Sequence, residues 1–340
     1  MKKNLGTILQ YVLFLGLGVG IIYYMLHEQT PEQQQQMINS IKSVRLWLFA
    51  PIFVIGFFSH YFRALRWKLL LEPLKIFPST INITFAVLIG YIANLVLPRA
   101  GEVAKCTVLA SYEKVPANKM VGTIVAERAF DVLCLIIITL LTCLLQASVI
   151  GSYAVEKFHK IVELITKNEV VLTIMITVAV ALVFFLIRVY RRHRETKVGH
   201  FIKGMSDGVR SILHMQKKWQ FIGYTFLIWL MYTLQIYLGF LGLPATDHLT
   251  ILAALVVLIF GSVGMILTPG GLGAYTWLVA EILHSYNIDP ASANAFGYVA
   301  WSAQTGILII LGILSLILLP IYNKKIRNAQ VRMGSAQDLQ

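Results

Sequence analysis

Seven ionisable side chains lie within or beside apolar stretches of the sequence. They are Arg99, Glu102, Lys105, Glu127, Arg128, Asp131 and Glu281. Placing an ionisable group at the centre of a bilayer costs about 2.5–3.5 kcal/mol on insertion scales, so each residue is a candidate for a functional role. Three are basic and four are acidic. This near-neutral balance is expected of charges that pair with one another in a medium of low dielectric constant.

Arg99 is the strongest candidate for binding an anion. Pro98 and Gly101 should interrupt the helix on either side of it, so the next helix would begin with free backbone N–H groups and its positive dipole end. A second break, Pro269-Gly270-Gly271 followed by Gly273, offers the same arrangement. Two helix N-termini and an arginine, if they converge, would suit a phosphate group.

Glu127, Arg128 and Asp131 form a second group of charges. Their spacing places all three toward one face of a helix, where Arg128 can pair with Asp131 three positions later. Two roles remain open for this group. It can form an internal ion pair that fixes the helix against the first break, through Arg99 or Glu102, or it can contact a ligand directly.

Other polar side chains near these charges have expected structural roles. Asn94 lies four positions before Pro98, whose missing N–H leaves a helical carbonyl unpaired, and the Asn94 amide could satisfy that broken turn. His60, Arg63 and Arg66 form a stripe that we predict to be snorkelling anchors at the cytoplasmic end of a span. A funnel for lipid head groups is the alternative for this stripe.

Apolar segments position all of these residues. Full spans are predicted at 5–26, 46–71, 119–146, 169–190, 219–241 and 291–320, each long enough to cross about 30 Å of hydrocarbon. Segments 102–112 and 272–286 are too short to cross, and each follows an apolar segment, 81–97 or 250–268, without a polar loop. Each short segment is therefore predicted to be the second limb of a helical hairpin broken at Pro and Gly.

The distribution of basic residues predicts the orientation. Residues 188–218 contain nine Lys and Arg and should be cytoplasmic under the positive-inside rule. If both hairpins re-enter the membrane, 21 basic residues lie on the cytoplasmic side with both termini, and five lie outside. If the first hairpin crossed the membrane once, residues 188–218 would lie outside. We predict an all-α polytopic integral membrane protein with about six full spans and two re-entrant hairpins, eight membrane segments in all.

The same assignment predicts an inverted repeat, with one unit at about 46–146 and the other at about 219–320. Paired broken helices at matching positions indicate a transporter site near the membrane midplane, and we hypothesise that the two hairpins meet there. The chain is predicted to form one membrane domain over residues 1–322, with a basic amphipathic cytoplasmic linker at 191–218. Residues 323–340 would form a short basic cytoplasmic tail.

Composition excludes a soluble enzyme. The 340 residues are 57% hydrophobic and 13% charged, whereas soluble domains average about 25% charged. The net charge of +13 follows from the cytoplasmic segments, so it indicates topology and attraction to an anionic inner leaflet rather than nucleic-acid binding. The sequence has no GxxxxGK[ST], HExxH or GxSxG motif, and therefore no nucleotide, metal or other cofactor is expected.

Four motifs resemble, in order, the signatures of the lysylphosphatidylglycerol synthase transmembrane-region family. They are Arg63-Ala64-Leu65-Arg66-Trp67-Lys68-Leu69-Leu70, Asn94-Leu95-Val96-Leu97-Pro98-Arg99-Ala100-Gly101-Glu102-Val103, Glu127-Arg128-Ala129-Phe130-Asp131 and Pro269-Gly270-Gly271-Leu272-Gly273. The resemblance covers about residues 5–320 and implies a flippase-like membrane protein. In bifunctional members this region moves aminoacylated phosphatidylglycerol between leaflets, and a soluble synthase domain follows it. The resemblance does not carry that synthase activity over.

One position departs from the family pattern. The glycine motif is often followed by a Glu three residues after its last glycine, and Thr276 stands there in this chain. If that Glu helps to hold a cationic head group, its replacement argues against an aminoacylated lipid as the substrate.

We therefore predict a lipid flippase or transporter in a bacterial or archaeal cytoplasmic membrane, acting on a lipid that bears a phosphate, such as a phospholipid or polyprenyl phosphate. Arg99 and Arg128 would bind the phosphate, while Glu102, Glu127 and Asp131 orient them or relay a proton. The predicted substrate-binding residues are Asn94, Pro98, Arg99, Gly101, Glu102, Glu127, Arg128, Asp131, Pro269, Gly270, Gly271 and Gly273.

Two other functions remain open. One is a membrane-embedded enzyme that acts on a lipid phosphate, with Glu102 or Asp131 as general base. The other is a non-catalytic partner in envelope assembly that docks through residues 188–218. The expected partners are membrane lipids, and a second copy of the chain or an envelope-synthesis protein is a further possibility.

Overall fold

The computed structural model describes residues 2–96, 100–147, 151, 155, 212 and 215–337. Pro98 and Arg99, the predicted span at 169–190 and most of the predicted linker at 191–218 lie outside the described residues. The predictions made for them therefore remain predictions.

The described part of the chain is all helical. Its ten α-helices are α1 (Lys2–His27), α2 (Pro31–Lys42), α3 (Phe49–Leu71), α4 (Thr80–Val96), α5 (Ala100–Glu113), α6 (Ala117–Leu145), α7 (Lys218–Gly242), α8 (Ile251–Leu267), α9 (Ala274–His284) and α10 (Pro290–Gln337). Short 3-10 turns lie at Leu46–Leu48, Glu72–Leu74 and Pro269–Gly271. Four stretches are long and apolar enough to cross a membrane: Leu46–Leu74, Lys119–Leu145, Lys218–Gly242 and Pro290–Ala329. They correspond to four of the predicted spans, and the protein is a multi-pass membrane protein.

Two pairs of short helices pack closely because glycines let their backbones approach. In the first pair, a Cβ atom at Gly101 of α5 would overlap the carbonyl oxygen of Gly90 in α4. In the second pair, a Cβ atom at Gly264 of α8 would lie 2.6 Å from the Cα atom of Tyr275 in α9. A larger residue at either glycine would force the two helices apart.

Polar contacts bring both ends of the α4–α5 pair to one end of the molecule. The Glu113 carboxylate, at the end of α5, accepts hydrogen bonds from the Ser79 backbone N–H at 2.9 Å and from the Asn82 amide at 2.7 Å. The Asn82 and Asn323 amides also bond to each other, which adds the far part of α10 to this end. The start of α4, the end of α5 and the Asn323 region of α10 are therefore neighbours.

A different set of contacts defines the opposite end of the molecule. The Arg45 backbone N–H donates to the Gly242 carbonyl at 2.8 Å, and the Arg45 guanidinium pairs with Asp247 at 3.0 Å. The hydroxyls of Ser40 and Ser292 lie 3.1 Å apart. The start of α3, the end of α7 and the start of α10 therefore lie together at this end.

Helix α2 was not predicted, although its start carries a recognisable signal. Thr30 and Gln33 form a reciprocal capping box, and Pro31 occupies the first helical position. The helix packs through Met37 onto the start of α10, against Ala291 and Ala295.

Helix α10 continues past Pro320 to Gln337, beyond the predicted end of its span at residue 320. Proline lacks the N–H that would continue the hydrogen-bond ladder, and long membrane helices tolerate it where nearby groups compensate. The Asn323 side-chain amide donates to the carbonyl of Leu319, the residue before the proline, at 2.9 Å.

Candidate functional site

Seven charged side chains from three helices form one cluster inside the helical bundle. Arg63 and Arg66 come from α3, Glu102 and Lys105 from α5, and Glu127, Arg128 and Asp131 from α6. Four of the seven are basic and three are acidic, so the described cluster carries an excess of positive charge. We call these seven residues the charge cluster.

Glu127 occupies the buried centre of the cluster, and its side chain is fully buried. One carboxylate oxygen lies 3.1 Å from Nη2 of Arg66, and the other lies 3.0 Å from Nζ of Lys105. Nη1 of Arg63 lies 3.7 Å away. A buried carboxylate with three cations around it connects α3, α5 and α6.

Asp131 lies one helical turn beyond Glu127 and binds the same two arginines of α3. Its carboxylate oxygens lie 2.7 Å from Nη2 of Arg66 and 3.0 Å from Nη1 of Arg63. Arg66 also reaches the Thr225 hydroxyl of α7 at 3.3 Å, while Arg63 donates to the Tyr232 hydroxyl at 3.0 Å. The cluster therefore also fastens α7.

Arg128 lies at the edge of the cluster. Its side chain is 43% exposed, and Nη2 lies 2.7 Å from a carboxylate oxygen of Glu102, which is itself 25% exposed. Arg66 and Glu127, by contrast, are fully buried. Arg128 is therefore more accessible to a ligand than Arg66 is.

The prediction for the stripe on α3 was wrong. His60, Arg63 and Arg66 were expected to snorkel at the end of a span, but all three are buried. The alternative, a role in guiding lipid head groups, remains a prediction. Arg63 and Arg66 face α6, where Glu127 and Asp131 supply the opposite charges that allow the two arginines to enter the interior. The His60 ring packs against Tyr91 of α4 instead. Both arginines are part of the charge cluster, and the sequence interpretation did not include them among the interior charges.

A cavity of about 460 Å³ begins at the charge cluster and extends to the turn before α3. Arg63, Arg128 and Asp131 line its polar end together with Tyr91, and Arg45 lines it elsewhere. The remaining lining includes many apolar side chains from α3, α6, α7, α8 and α10, such as Leu48, Ile52, Leu135, Met265 and Phe296. The cavity is therefore amphipathic, with Arg63, Arg128 and Asp131 at one end and Arg45 in the wall near the other end.

Three buried donor groups belong to residues at this polar end. Nε of Arg63, Nε of Arg128 and the hydroxyl of Tyr91 have no hydrogen-bond partner among the residues that the structure describes. An unsatisfied buried donor costs about 1–3 kcal/mol, so a ligand that supplies acceptor oxygens would be stabilised here. Both arginines already make ion pairs through their terminal nitrogens, which leaves Nε as the additional donor.

The same three residues separate the main cavity from a smaller pocket of about 10 Å³. This pocket lies under the α4–α5 pair, and its lining includes Asn94, Gly101, Glu102 and Lys105. Arg63, Tyr91 and Arg128 line both spaces. They form a partition between the cavity and the interior of the first helix pair.

Asn94 and Gly101 hold the first helix pair together. The Asn94 side-chain oxygen accepts a hydrogen bond from the Gly101 backbone N–H at 2.8 Å, which caps the start of α5. The expected structural role of Asn94 thus takes the form of a cap on the following helix. Pro98 and Arg99, which precede that start, lie outside the described residues.

Pro269, Gly270, Gly271 and Gly273 form the second break and line neither cavity. The Gly270 carbonyl accepts a hydrogen bond from the Trp301 indole at 2.8 Å, and all three glycines have positive φ angles. A Cβ atom at Gly273 would overlap the Gly18 carbonyl oxygen of α1, so α1 covers the start of α9. A Cβ atom at Gly270 would lie 3.3 Å from Leu95, so the second break and the end of α4 are neighbours.

The structure thus groups the predicted site residues into three sets. Arg128 and Asp131 line the main cavity, whereas Asn94, Gly101 and Glu102 line the small pocket. Glu127 lies buried within the charge cluster, and Glu281 lines neither space. Thr276 is 1% exposed and packs against Gly297 of α10.

The site also contains residues that the sequence interpretation missed, chiefly Tyr91 and Tyr232. Arg63 and Arg66 had an available signal, because the four acidic interior residues exceeded the three basic ones that had been counted. An excess of buried acidic residues requires basic residues from another segment to neutralise it. Arg63 and Arg66 lie in the nearest apolar segment that carries basic residues. The two tyrosines had no comparable signal.

Comparison with known proteins gives one positive result. No curated protein and no solved structure matches the chain significantly. The family model for the lysylphosphatidylglycerol synthase TM region matches residues 8–312, which is most of the chain. That match includes every residue of the charge cluster and every described residue that lines the cavity. The chain therefore belongs to the lysylphosphatidylglycerol synthase transmembrane-region family, whose membership indicates a function connected with membrane lipids.

Proposed function

We propose that this protein moves a phosphate-bearing lipid between the leaflets of the cytoplasmic membrane. One observation carries the proposal: an otherwise largely apolar cavity in a membrane protein ends at Arg63, Tyr91 and Arg128, whose buried donor groups have no acceptor among the described residues. Such an end favours a ligand rich in acceptor oxygens, and the apolar walls favour one that is attached to hydrocarbon.

The charge and shape of the donors favour phosphate. Two arginines line the polar end of the cavity, and their guanidinium groups stay charged. Their terminal nitrogens already contact Asp131, Tyr232 and Glu102, so each arginine has its Nε–H left to donate to a phosphate oxygen. Among the described residues that line the cavity, Asp131 is the one carboxylate, and it lies within 4 Å of Arg63, Arg66 and Arg128. An anionic head group would add the negative charge that the cluster lacks.

A topology with two re-entrant hairpins supports the proposal. Helices α4 and α8 each have 17 residues, and Gly90 and Gly261 occupy the eleventh position of each. The contacts of Glu113 return α5 to the end of the molecule where α4 begins. Leu249 before α8 and Ile288 after α9 share one hydrophobic cluster at the opposite end. We infer six full spans and two hairpins that enter from opposite sides, with both termini cytoplasmic.

The partition between the two spaces supports an alternating-access mechanism. The main cavity reaches the Arg45 end of the molecule, which this topology places outside. Access from the cytoplasmic side would require Arg63, Tyr91 and Arg128 to move away from the small pocket. The ion pair between Arg128 and Glu102 is the partly exposed contact in this region, so it is the contact that we expect to break.

Lipid translocation by the reconstituted protein tests the proposal. In vesicles, Arg128→Gln should slow the appearance of phosphatidylglycerol in the opposite leaflet by at least about tenfold, which corresponds to an increase of about 1.4 kcal/mol in the barrier to translocation. Arg128→Lys should be intermediate, because it keeps the charge but loses the fork of donors. Lys217→Gln is the matched control, since it removes a cation whose pair with Glu72 lies far from the cavity lining.

If a correctly folded Arg128→Gln variant translocated the lipid at the rate of the parent protein, the assignment of the site would be wrong. An embedded enzyme that uses Glu102 or Asp131 as base is the competing proposal. It predicts product formation from the lipid in detergent micelles, where no leaflets exist, and mass spectrometry of the extracted lipid separates the two activities. Both carboxylates are paired with arginine at 3.0 Å or less, which favours transport over base catalysis.

A further inference from the structure

The main cavity reaches the side of the molecule between α6 and α8. Val132 of α6 and Ile266 of α8 both line the cavity, yet Val132 is 45% exposed and Ile266 is 74% exposed. Val132 follows Arg128 by one helical turn, so it lies beside the polar end of the cavity. We call the gap at Val132 and Ile266 the lateral opening.

The surface around the lateral opening is apolar. Leu133 and Ile136 of α6 are exposed, and so are Val263 and Leu267 of α8. In a membrane protein an exposed apolar surface of this kind faces the hydrocarbon of the bilayer. Among the described residues, apolar side chains therefore join the polar end of the cavity to this hydrocarbon-facing surface.

The size of the cavity limits what it can enclose. A volume of about 460 Å³ falls in the range of about 300–1,000 Å³ that pockets for drug-sized molecules occupy. A hydrocarbon chain that fills one leaflet extends for about 15 Å, half of the hydrocarbon core. A head group fits such a cavity, whereas a lipid with its full-length chains would need more room.

We propose that the hydrocarbon tail of the transported lipid leaves the cavity through the lateral opening and stays in the bilayer while the phosphate is held at Arg63 and Arg128. The proposal rests on the proposed function and adds the route of the tail. Burial of a tail against Val132 and Ile266 costs no polar desolvation, because the flanking residues are apolar. The head group then stays at the polar end of the cavity and the tail stays in the hydrocarbon of the bilayer throughout the crossing.

Two bulky substitutions test this route in the full chain. Val132→Trp and Ile266→Trp place a large ring in the lateral opening, and Leu140→Trp and Ile251→Trp are matched controls on the same helices, away from the opening. The controls are also exposed and apolar, but they do not line the cavity. Binding to detergent-purified protein is measured by calorimetry with dioleoyl-phosphatidylglycerol and with glycerophosphoglycerol, the same head group without its chains.

We expect both blocking variants to lose affinity for dioleoyl-phosphatidylglycerol by at least about tenfold, while their affinity for glycerophosphoglycerol stays within about twofold of the parent protein. The control variants should bind both compounds as the parent does. Unchanged binding of the lipid by both blocking variants would overturn the proposed route. A shift in oligomeric state that is confined to the blocking variants would also overturn it, because the opening would then be an interface between copies.

Failure of the proposed function gives a different pattern. In that case the parent protein binds neither compound, or it binds both without any effect of Arg128→Gln. The lateral route alone fails when Arg128→Gln weakens both compounds but the blocking variants behave like their controls. Folding of every variant is checked by size-exclusion chromatography and by thermal unfolding before binding is measured.

Discussion

At the scale of single residues, the charge cluster divides into a buried centre and an accessible edge. Glu127 and Arg66 are fully buried and join α3 to α6, whereas Arg128 is 43% exposed and lines the cavity. A buried ion pair fixes how helices pack, but both charges lose their hydration when they are buried. If one partner is removed, the other charge stays buried without compensation, and the fold is strongly destabilised. The centre should therefore determine folding and the edge should determine ligand binding.

Glu127→Gln tests the role of the centre. The substitution leaves Arg63, Arg66 and Lys105 around a neutral side chain, and removal of one partner from a buried ion pair typically costs about 3–5 kcal/mol. We expect a large fall in the midpoint of thermal unfolding in detergent. Glu102→Gln is the matched comparison, because Glu102 is 25% exposed and solvent screens its ion pairs. An equal fall for both variants would contradict the division into centre and edge.

The sequence predicted the acidic half of this cluster better than its basic half. Glu127, Arg128 and Asp131 stand out because they interrupt an apolar span, and their spacing alone shows that they share a face. Arg63 and Arg66 lie near the end of their span, where snorkelling is the common role of such residues. Their burial depends on contact with α6, which is distant in sequence, so local pattern could not reveal it.

At the scale of elements, the α4–α5 pair depends on one close backbone contact and one cap. Gly101 faces the Gly90 carbonyl, and Asn94 accepts the Gly101 N–H at 2.8 Å. Pro and Gly predicted the break between these helices, because proline cannot continue the ladder of hydrogen bonds. The sequence of the break did not predict that Asn94 caps α5, because this contact depends on how closely the two helices pack.

Gly101→Ala should destabilise the protein through this contact. The added methyl group would overlap the Gly90 carbonyl oxygen, and overpacking of this kind typically costs about 1–3 kcal/mol. Gly122→Ala in α6 is the control, since a Cβ atom there meets nothing within 4 Å. Alanine is the better helix former, so the control should be neutral or stabilising by up to about 1 kcal/mol. Thermal unfolding of both variants in the same detergent measures the difference, and equal shifts would contradict the contact.

Asn94→Ala tests the cap separately. Loss of the acceptor should cost about 0.5–2 kcal/mol, the range for removal of a capping side chain. Asn94→Asp keeps an acceptor oxygen in the same place and should retain most of the stability. If Asn94 instead serves only to bind the lipid head group, Asn94→Ala will weaken phosphatidylglycerol binding without any change in unfolding.

At the scale of the whole molecule, the two ends of the bundle follow from pairs of contacts that are distant in sequence. Glu113 with Ser79 and Asn82 marks one end, and Arg45 with Asp247 marks the other. Basic residues alone predicted which helix ends share a side, because positive charge is retained in the cytoplasm. The helix α2 and the continuation of α10 to Gln337 were not predicted, since both are polar segments that follow or precede a membrane span.

Cysteine labelling in intact cells tests the topology of both hairpins. In a variant without Cys106, Cys134 and Cys143, single cysteines replace four exposed residues in turn: Phe77, Lys119, His248 and Pro290. Phe77 precedes α4 and Lys119 follows α5, whereas His248 precedes α8 and Pro290 follows α9. Each pair therefore brackets one hairpin.

A membrane-impermeant maleimide should label the His248→Cys and Pro290→Cys variants in intact cells. It should label the Phe77→Cys and Lys119→Cys variants only after permeabilisation, because re-entrant hairpins return each flank to the side from which it started. If α4 and α5 together crossed the membrane once, the cysteines at 77 and 119 would react from opposite sides. That single crossing would also move every later loop to the other face, so the cysteines at 248 and 290 would react only after permeabilisation. The two topologies therefore differ at three of the four positions, and one labelling series distinguishes them.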